Sequence, residues 1–202
     1  MNKTLRLAIG FPLIIIAIIS LYILLTSAES NEFKSEIENL RVEKDVWFSN
    51  DFASPFVMTN TPFHRLNYFS PKQNFRINAV FSKNKNSDSI SLVTNLGEVQ
   101  SYLIYGEAAF TINGEACKLQ LLSTERGNDL FIPFIDATSG HSTYGAGRYL
   151  EASIPTNNEI ILDFNMAYSP YCAYVDSYSC PFPPKSNHLK VAIEAGEKNY
   201  HQ

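Results

Sequence analysis

The chain is short of positive charge once its first 28 residues are passed. Of its 16 lysines and arginines only Lys3 and Arg6 precede residue 29, which leaves 14 basic against 20 acidic side chains in the remainder. A groove for nucleic acid or for an anionic lipid surface needs lysine and arginine to neutralise phosphates. The composition therefore predicts that the protein has no nucleic-acid partner.

Cysteine is equally scarce, with three in 202 residues and none before Cys117. The N-terminal region therefore has no cysteine that could carry a lipid. The other two, Cys172 and Cys180, are separated by seven residues rather than by the two that are typical of a zinc knuckle. The sequence predicts no metal site, and a mononuclear site of Cys172, Cys180 and His188 is the remaining alternative.

Charge is absent altogether from Leu7 to Leu25, LAIGFPLIIIAIISLYILL. As a helix this run would span ~28 Å, close to the hydrocarbon thickness of a bilayer. A secretory signal has a shorter apolar region of about 7–15 residues, although the small residues Thr26-Ser27-Ala28 form an acceptable cleavage site. We therefore predict a transmembrane anchor over residues 1–28, with a signal peptide cleaved after Ala28 as the alternative.

The charges that flank the apolar run predict its orientation. Lys3 and Arg6 precede it, whereas Glu29 and Glu32 follow it. Basic residues next to a membrane span stay in the cytoplasm. We expect a single pass through the cytoplasmic membrane over residues 7–25. The folded domain would lie on the extracytoplasmic (periplasmic or outer) face, or be secreted if the chain is cleaved.

An amphipathic helix is predicted for residues 29–52. Phe33, Ile37, Leu40, Lys44 and Trp47 recur near helical spacing, with charged residues between them. The turn-forming residues that follow end this pattern. Such a helix would link the membrane segment to the domain and place Trp47 or Phe48 on the edge of the domain.

Short β-type runs divided by turn residues dominate the rest of the chain, residues 53–202. Strands are predicted at Phe75–Phe81, Ser89–Thr94, Val99–Tyr105, the two arms of a hairpin within Ala109–Leu121, Asp129–Phe134, Arg148–Ala152, Glu159–Phe164 and Leu189–Glu194. About nine strands without alternating helices are typical of an antiparallel sandwich or a partly open barrel. The predicted fold is mainly β, and ligand sites are expected among the loops at an open end.

The sharpest local signal is Asn113-Gly114 between two alternating runs. A two-residue type I′ turn needs positive φ at both central positions, which asparagine and glycine tolerate. Cys117, Leu119 and Leu121 would then share one face of the second strand. We predict a tight hairpin with that face in the core.

Long motifs in the second half of the chain resemble a known family. They are LFIPFIDATSGHSTYGAGRYL, LDFNMAYSPYCAY, YSCPFPPKSNHL and AIEAGEK, preceded by RVEKDVWF and FHRLNYF. Together they are similar to the bacterial domain of unknown function 1684 family over essentially everything after the apolar run. The resemblance implies little about activity, because the family is named for lacking one. The chain departs from the family pattern at Ser169, where asparagine is expected, and at His141-Ser142, where the pattern is open.

The stretch Gly140-His141-Ser142 invites comparison with the G-x-S-x-G nucleophile elbow. Tyr144 stands where the closing glycine should be, and the following GAGRYL is strand-like rather than helical. A serine hydrolase is therefore not predicted. His141 is expected to be a solvated loop residue.

The candidate ligand-binding residues are polar and aromatic side chains after position 135: Asp136, Tyr144, Arg148, Tyr149, Asp163, Asn165 and Tyr168. In one interpretation Arg148 grips a small polar or anionic ligand in a pocket walled by tyrosines. In the other, Arg148 pairs with Asp163, and Asn165 ties down a loop carbonyl, as a structural clasp.

The functional hypothesis is a small-ligand-binding or cell-envelope accessory module. One alternative is a hydrolase-like enzyme using Asp136 and Asp163, which requires their carboxylates to lie about 5–9.5 Å apart. Another is a purely structural, partner-binding protein. The sequence identifies no catalytic residue with a defined role and no cofactor.

Cys172 and Cys180 are adjacent to proline-bearing turns in a domain that is predicted to be exported. A disulfide is the default in that environment and would stabilise the domain by roughly 2–3 kcal/mol. The following CPFPP run cannot join a strand ladder, because proline has no N–H to donate. We predict an extended crossing that closes one end of the barrel.

Overall fold

The computed structural model of the chain describes the backbone of residues 3–123 and 129–200, and the side chains of those residues from 18 onward except Leu25. The helices and strands are α1 Lys3–Asn50, α2 Pro55–Met58, β1 Arg76–Lys83, β2 Ser89–Val93, β3 Val99–Ile112, β4 Glu115–Ser123, β5 Asp129–Phe134, β6 Arg148–Ser153 and β7 Glu159–Asp163. Single 3₁₀ turns occur at Gln73–Phe75, Phe164–Met166, Tyr171–Ala173 and Lys185–Asn187.

The seven strands form one antiparallel sheet, in which six strands follow the order β6-β5-β4-β3-β1-β7 and β2 lies off this path. β2 pairs with the first part of β3, and β1 pairs with a later part of the same strand. β6 and β7, at the two ends of the order, are neighbours in space, so the sheet is nearly closed. The predicted mainly β, antiparallel, barrel-like fold with an N-terminal helix is confirmed.

The Asn113-Gly114 hairpin is also confirmed. Both residues have positive φ, 51° and 84°, and they join β3 to β4 with Ile112 opposite Glu115. On β4, Cys117, Leu119 and Leu121 are buried, as the alternation predicted. The hairpin thus presents one apolar face to the barrel core.

Two strand predictions are wrong in detail. The segments predicted separately at Val99–Tyr105 and from Ala109 belong to one strand, β3, whose pairing with β4 shifts register at Gly106. Leu189–Glu194 is described by the structure but is not a strand.

The reason for the second error is visible in the packing of the C-terminal segment. Leu189, Val191 and Ile193 alternate inward and are buried, which produces the period of two. Their backbone N–H groups form separate hydrogen bonds to different partners instead of the regular hydrogen-bond ladder of a strand. Leu189 N–H donates to the Ile135 carbonyl at 2.8 Å, and Ile193 N–H donates to the Asp136 carboxylate at 3.2 Å.

The C-terminal part of α1 packs against the barrel. Phe33, Ile37 and Phe48 are buried, whereas Leu40 is 39% exposed. Polar contacts fix the same face, because Arg41 donates to the carbonyls of Phe69 at 2.9 Å and Asn165 at 3.2 Å. The predicted amphipathic helix therefore exists, as the final part of a longer one.

The predicted anchor lies mostly outside the described side chains, because those of residues 7–17 and Leu25 are not described. Among the described residues, no helix contains a stretch that is long and apolar enough to cross a bilayer.

Gly147→Ala is expected to lower the free energy of unfolding by about 2–3 kcal/mol. Gly147 has φ +96°, and a Cβ atom there would lie 2.5 Å from the Phe134 carbonyl oxygen. Urea unfolding followed by the fluorescence of the single tryptophan measures the loss. Gly145→Ala is the control, because its Cβ would meet nothing closer than 3.6 Å. Equal stability of the two variants would contradict the conclusion that Gly147 must lack a Cβ atom.

Candidate functional site

Arg148 lies in a closed cluster of hydrogen bonds rather than in a pocket. Its side chain is fully buried, and one terminal nitrogen donates to the Asp136 carboxylate at 2.9 Å and to the Ile193 carbonyl at 2.8 Å. The other terminal nitrogen donates to the carbonyls of Ala195 at 2.5 Å and Glu197 at 3.0 Å. The predicted pairing of Arg148 with Asp163 is wrong, because Asp136 is the partner.

The loop between β5 and β6 is a corner built around Asp136. The Asp136 carboxylate accepts hydrogen bonds from the backbone N–H of Thr138 at 2.7 Å and from its hydroxyl at 2.6 Å. The hydroxyls of Thr138 and Thr143 lie 2.9 Å apart, and both residues are buried. His141 is exposed, as predicted. Arg148 and Asp136 therefore hold the corner and the C-terminal segment together.

Asp163 and Asn165 belong to a different cluster, at the end of β7. Asp163 forms an ion pair with Arg76 at 2.6 Å. Asn165 bridges the backbone of Lys72, accepting from its N–H at 2.8 Å and donating to its carbonyl at 2.9 Å. Asp136 and Asp163 thus take part in separate ion pairs, and neither lines the cleft described next.

A cleft of about 830 Å³ lies between the end of α1 and the β5–β6 side of the barrel. Its volume lies within the range of small-molecule sites. Eight of its fifteen lining residues are aromatic: Trp47, Phe48, Tyr102, Phe131, Tyr149, Tyr168, Tyr171 and Tyr178. The other seven are Lys44, Glu151, Met166, Pro170, Ser179, Cys180 and Pro181. We call this cavity the aromatic cleft.

Tyr149 and Tyr168 form the wall of the aromatic cleft. They exchange two backbone hydrogen bonds, of 2.8 and 2.9 Å, and their rings meet edge to face with centroids 5.8 Å apart. Phe131 lies against Tyr149 with a centroid distance of 4.8 Å. The Tyr149 hydroxyl donates to the Pro181 carbonyl at 2.7 Å, which ties the start of the CPFPP run to β6. Burial raises the pKa of both tyrosines, so they remain neutral donors.

Tyr144 lies just outside the lining. Its hydroxyl is 3.9 Å from the Cys172 sulfur, and it packs in the same small cluster as Tyr149 and Tyr168. Burial, followed by the nearby Cys172, raises the pKa of Tyr144 to about 12. Of the seven predicted ligand-binding residues, the structure places Tyr149 and Tyr168 in the cleft wall and Tyr144 behind it.

The charges of the aromatic cleft come from one basic and one acidic side chain. Lys44 donates to the buried carboxylate of Glu197 at 2.7 Å, and its Nζ also lies 4.5 Å from the centre of the Tyr168 ring. Glu197 further accepts hydrogen bonds from the Ser169 N–H at 2.9 Å and from the Tyr174 hydroxyl. Glu151 is exposed and accepts a hydrogen bond from the Tyr168 hydroxyl at 2.9 Å.

Sequence reasoning missed several residues that shape this site. Lys44 and Trp47 were assigned only to the predicted helix, and neither Glu151 nor Glu197 was singled out. The sequence of α1 contained a signal for this site, because Lys44 lies on an otherwise apolar stripe next to the only tryptophan, Trp47. A basic residue on a buried face needs a counter-charge from elsewhere in the fold.

Cys172 and Cys180 are buried and are free thiols in the structure. Cys180 is a residue of the cleft lining, and its sulfur accepts a hydrogen bond from the Cys172 backbone N–H at 3.2 Å. The predicted disulfide is thus not formed here and remains a prediction for the oxidised protein. No group of three or more metal-ligating side chains converges within the described residues, His188 included.

Comparison with solved structures gave a solution NMR structure of an uncharacterised protein from Haloarcula marismortui. It is 35% identical, with a TM-score of 0.65, and the match covers 84% of this chain and 96% of that one. The curated proteins gave no match. The family described as Protein of unknown function (DUF1684) matches residues 61–198, which include the Asp136–Arg148 corner and all of the aromatic cleft except its α1 side. The chain belongs to this DUF1684 family.

Proposed function

We propose that the protein binds a small organic ligand with a large apolar, ring-like surface and a neutral or positive charge in the aromatic cleft. The observation that carries the proposal is the lining of eight aromatic side chains around about 830 Å³. Aromatic faces attract apolar rings by stacking, and they attract organic cations by their negative electrostatic potential.

The charge preference follows from the state of Lys44. Glu197 is buried and needs Lys44 as its counter-ion, so withdrawing Lys44 to meet an anionic ligand would leave a buried carboxylate unpaired. Glu151 has no such partner cation among the ion pairs of the described residues, and it adds negative charge at the mouth. These two features favour a neutral or cationic ligand over the anionic one expected from Arg148.

We also infer where the protein is located: residues 7–25 anchor it in the cytoplasmic membrane, with the domain on the extracytoplasmic face. The described end of this segment supports the idea, because the side chains of Ile18, Tyr22 and Leu24 are exposed rather than packed on the barrel. The proposed role is therefore that of a membrane-held ligand-binding module of the cell envelope.

Membrane anchoring is tested by fractionating cells that express the full chain. The full chain should remain in the membrane pellet after an alkaline carbonate wash, and a chain lacking residues 1–28 should be soluble. Because residues 7–25 have no charge, Ile16→Arg is the matched variant and should also weaken retention. Release of the full chain by carbonate would contradict the anchor.

Ligand binding is tested with three probes of similar size on the full chain in lipid nanodiscs: benzyltrimethylammonium, benzyl alcohol and phenylacetate. Trp47 lines the cleft and is the only tryptophan, so its fluorescence reports occupancy. We expect benzyltrimethylammonium to bind most tightly and phenylacetate most weakly. Tyr168→Ala should weaken binding of the cation about tenfold, equivalent to ~1.4 kcal/mol.

Tyr105→Ala is the matched control, because Tyr105 packs on Phe81 away from the cleft lining. Glu151→Gln should reduce the preference for the cation over the alcohol without abolishing binding of either. Tightest binding by phenylacetate would refute the charge argument and support the anionic ligand expected from the sequence. Saturable binding by none of the probes would refute the site itself.

A further inference from the structure

The two cysteines beside the aromatic cleft differ in their surroundings. Cys180 lies in the cleft lining, whereas Cys172 lies behind it, next to the Tyr144 hydroxyl. The Cys180 sulfur accepts a hydrogen bond from the Cys172 backbone N–H at 3.2 Å. A hydrogen-bond donor directed at a sulfur stabilises its thiolate form.

We propose that Cys180 and Cys172 form a redox-active thiol pair in which Cys180 attacks a disulfide that reaches it through the cleft and Cys172 resolves the product. The proposal stands independently of the cleft's organic ligand. It differs from a structural disulfide because it requires one reactive sulfur, one resolving sulfur and access from solvent.

The chemistry balances with a disulfide compound such as glutathione disulfide as the oxidant. The Cys180 thiolate attacks one sulfur of the oxidant, forms a mixed disulfide and releases one glutathione thiolate. The Cys172 thiol then loses its proton to solvent, and its sulfur attacks the Cys180 sulfur and releases the second glutathione. Two electrons pass from the thiol pair to the oxidant, and a Cys172–Cys180 disulfide remains.

The electrostatic surroundings suit these two roles. Hydrogen bonding from the Cys172 thiol, aided by the backbone, lowers the pKa of Cys180 to about 7. Donation to Cys180, together with burial, raises the pKa of Cys172. The titratable groups packed with the pair include Tyr168 and Tyr178. Burial raises the pKa of four further tyrosines around it, Tyr102, Tyr144, Tyr149 and Tyr171, which therefore stay neutral near pH 7.

Cys117 is an internal control for the reactivity of the Cys180 thiol. It is as exposed as Cys180, at 7%, but lies on β4 away from the cleft, and burial raises its pKa. The reduced full chain in nanodiscs is treated with limiting iodoacetamide between pH 5.5 and 9, and the modified peptides are counted by mass spectrometry. We expect Cys180 to react at least about tenfold faster than Cys117 at pH 7. Equal rates at the two cysteines would overturn the proposal.

The exchange step is tested with glutathione disulfide. The parent should release two equivalents of glutathione and gain an internal disulfide, whereas Cys172→Ser should release one and keep glutathione on Cys180. Cys180→Ser should release none. Absence of the mixed disulfide in Cys172→Ser, while the parent and Cys117→Ser react, would overturn the assignment of roles. So would an internal disulfide in the parent that dithiothreitol reduces only after unfolding, because that is the behaviour of a structural bond.

Discussion

Arg148→Met is expected to lower the free energy of unfolding by about 3–5 kcal/mol, the range seen when one partner of a buried ion pair is removed. The substitution leaves the Asp136 carboxylate buried without its cation. It also removes the donors to three backbone carbonyls, those of Ile193, Ala195 and Glu197. Urea unfolding of the full chain, followed by Trp47 fluorescence, measures the loss.

Arg65→Met is the matched control for this prediction. Arg65 also forms a single ion pair, with Asp45 at 3.0 Å, but its side chain is 78% exposed. Exposed pairs contribute less than about 1 kcal/mol, because water screens them. Asp136→Asn combined with Arg148→Met should recover part of the loss by removing the unpaired charge. Equal unfolding midpoints for the Arg148 and Arg65 variants would show that the corner is not held by this pair.

The fold was largely predictable because its signals are local. The turn at Asn113-Gly114 and the alternation along β4 depend on residues that are adjacent in sequence, and both are present in the structure. The segment Leu189–Glu194 shows the limit of such signals. Alternating burial indicates an extended chain on a core, but pairing with a neighbouring strand depends on the rest of the fold. Here Arg148 and Asp136 bond to that backbone instead.

The site was only partly predictable, because its residues come from distant parts of the chain. The sequence drew attention to Arg148 and offered Asp163 as its partner. Asp136, twelve positions earlier, occupies that place because the β5–β6 corner brings it back to the start of β6. Burial then decides between a clasp and a ligand site, since an arginine whose terminal nitrogens are both engaged by the protein has no donor there left for a ligand. The alternation along β6 predicts which of its residues share a face, but it does not predict how close Arg148 lies to Asp136 in the β5–β6 loop.

Only one wall of the aromatic cleft was predictable from the sequence. Tyr149 and Tyr168 were candidates because they are adjacent to polar motifs, and they do line the cleft. Its opposite wall comes from α1, more than a hundred residues earlier in the chain. That wall depends on how α1 docks. The apolar stripe of Phe33 and Ile37 predicts which face of the helix is buried, but it does not predict where on the barrel the helix lies.

The ion pair of Lys44 with Glu197 connects α1 to the C-terminal segment. Lys44→Met should lower the free energy of unfolding by about 2–4 kcal/mol, because Glu197 then keeps a buried charge without a counter-ion. The expected loss is smaller than for Arg148, since the Lys44 side chain is 29% exposed and water partly screens the pair. Lys34→Met, at an exposed position of the same helix, should change stability by less than about 0.5 kcal/mol.

A double-mutant cycle separates this ion pair from the packing of the lysine side chain. Glu197→Gln keeps the shape of the side chain and the acceptor for the Ser169 N–H while removing the charge. In the Lys44→Met background it should therefore recover most of the lost stability. A double variant as unstable as Lys44→Met alone would contradict the ion pair as the cause. It would point instead to contacts of the Lys44 stem with Tyr168 and Phe48, whose rings lie 4.5 and 5.5 Å from its Nζ. Recovery would show that the Lys44–Glu197 ion pair contributes to the docking of α1, beside its buried apolar residues and the Arg41 hydrogen bonds, and so to one wall of the aromatic cleft.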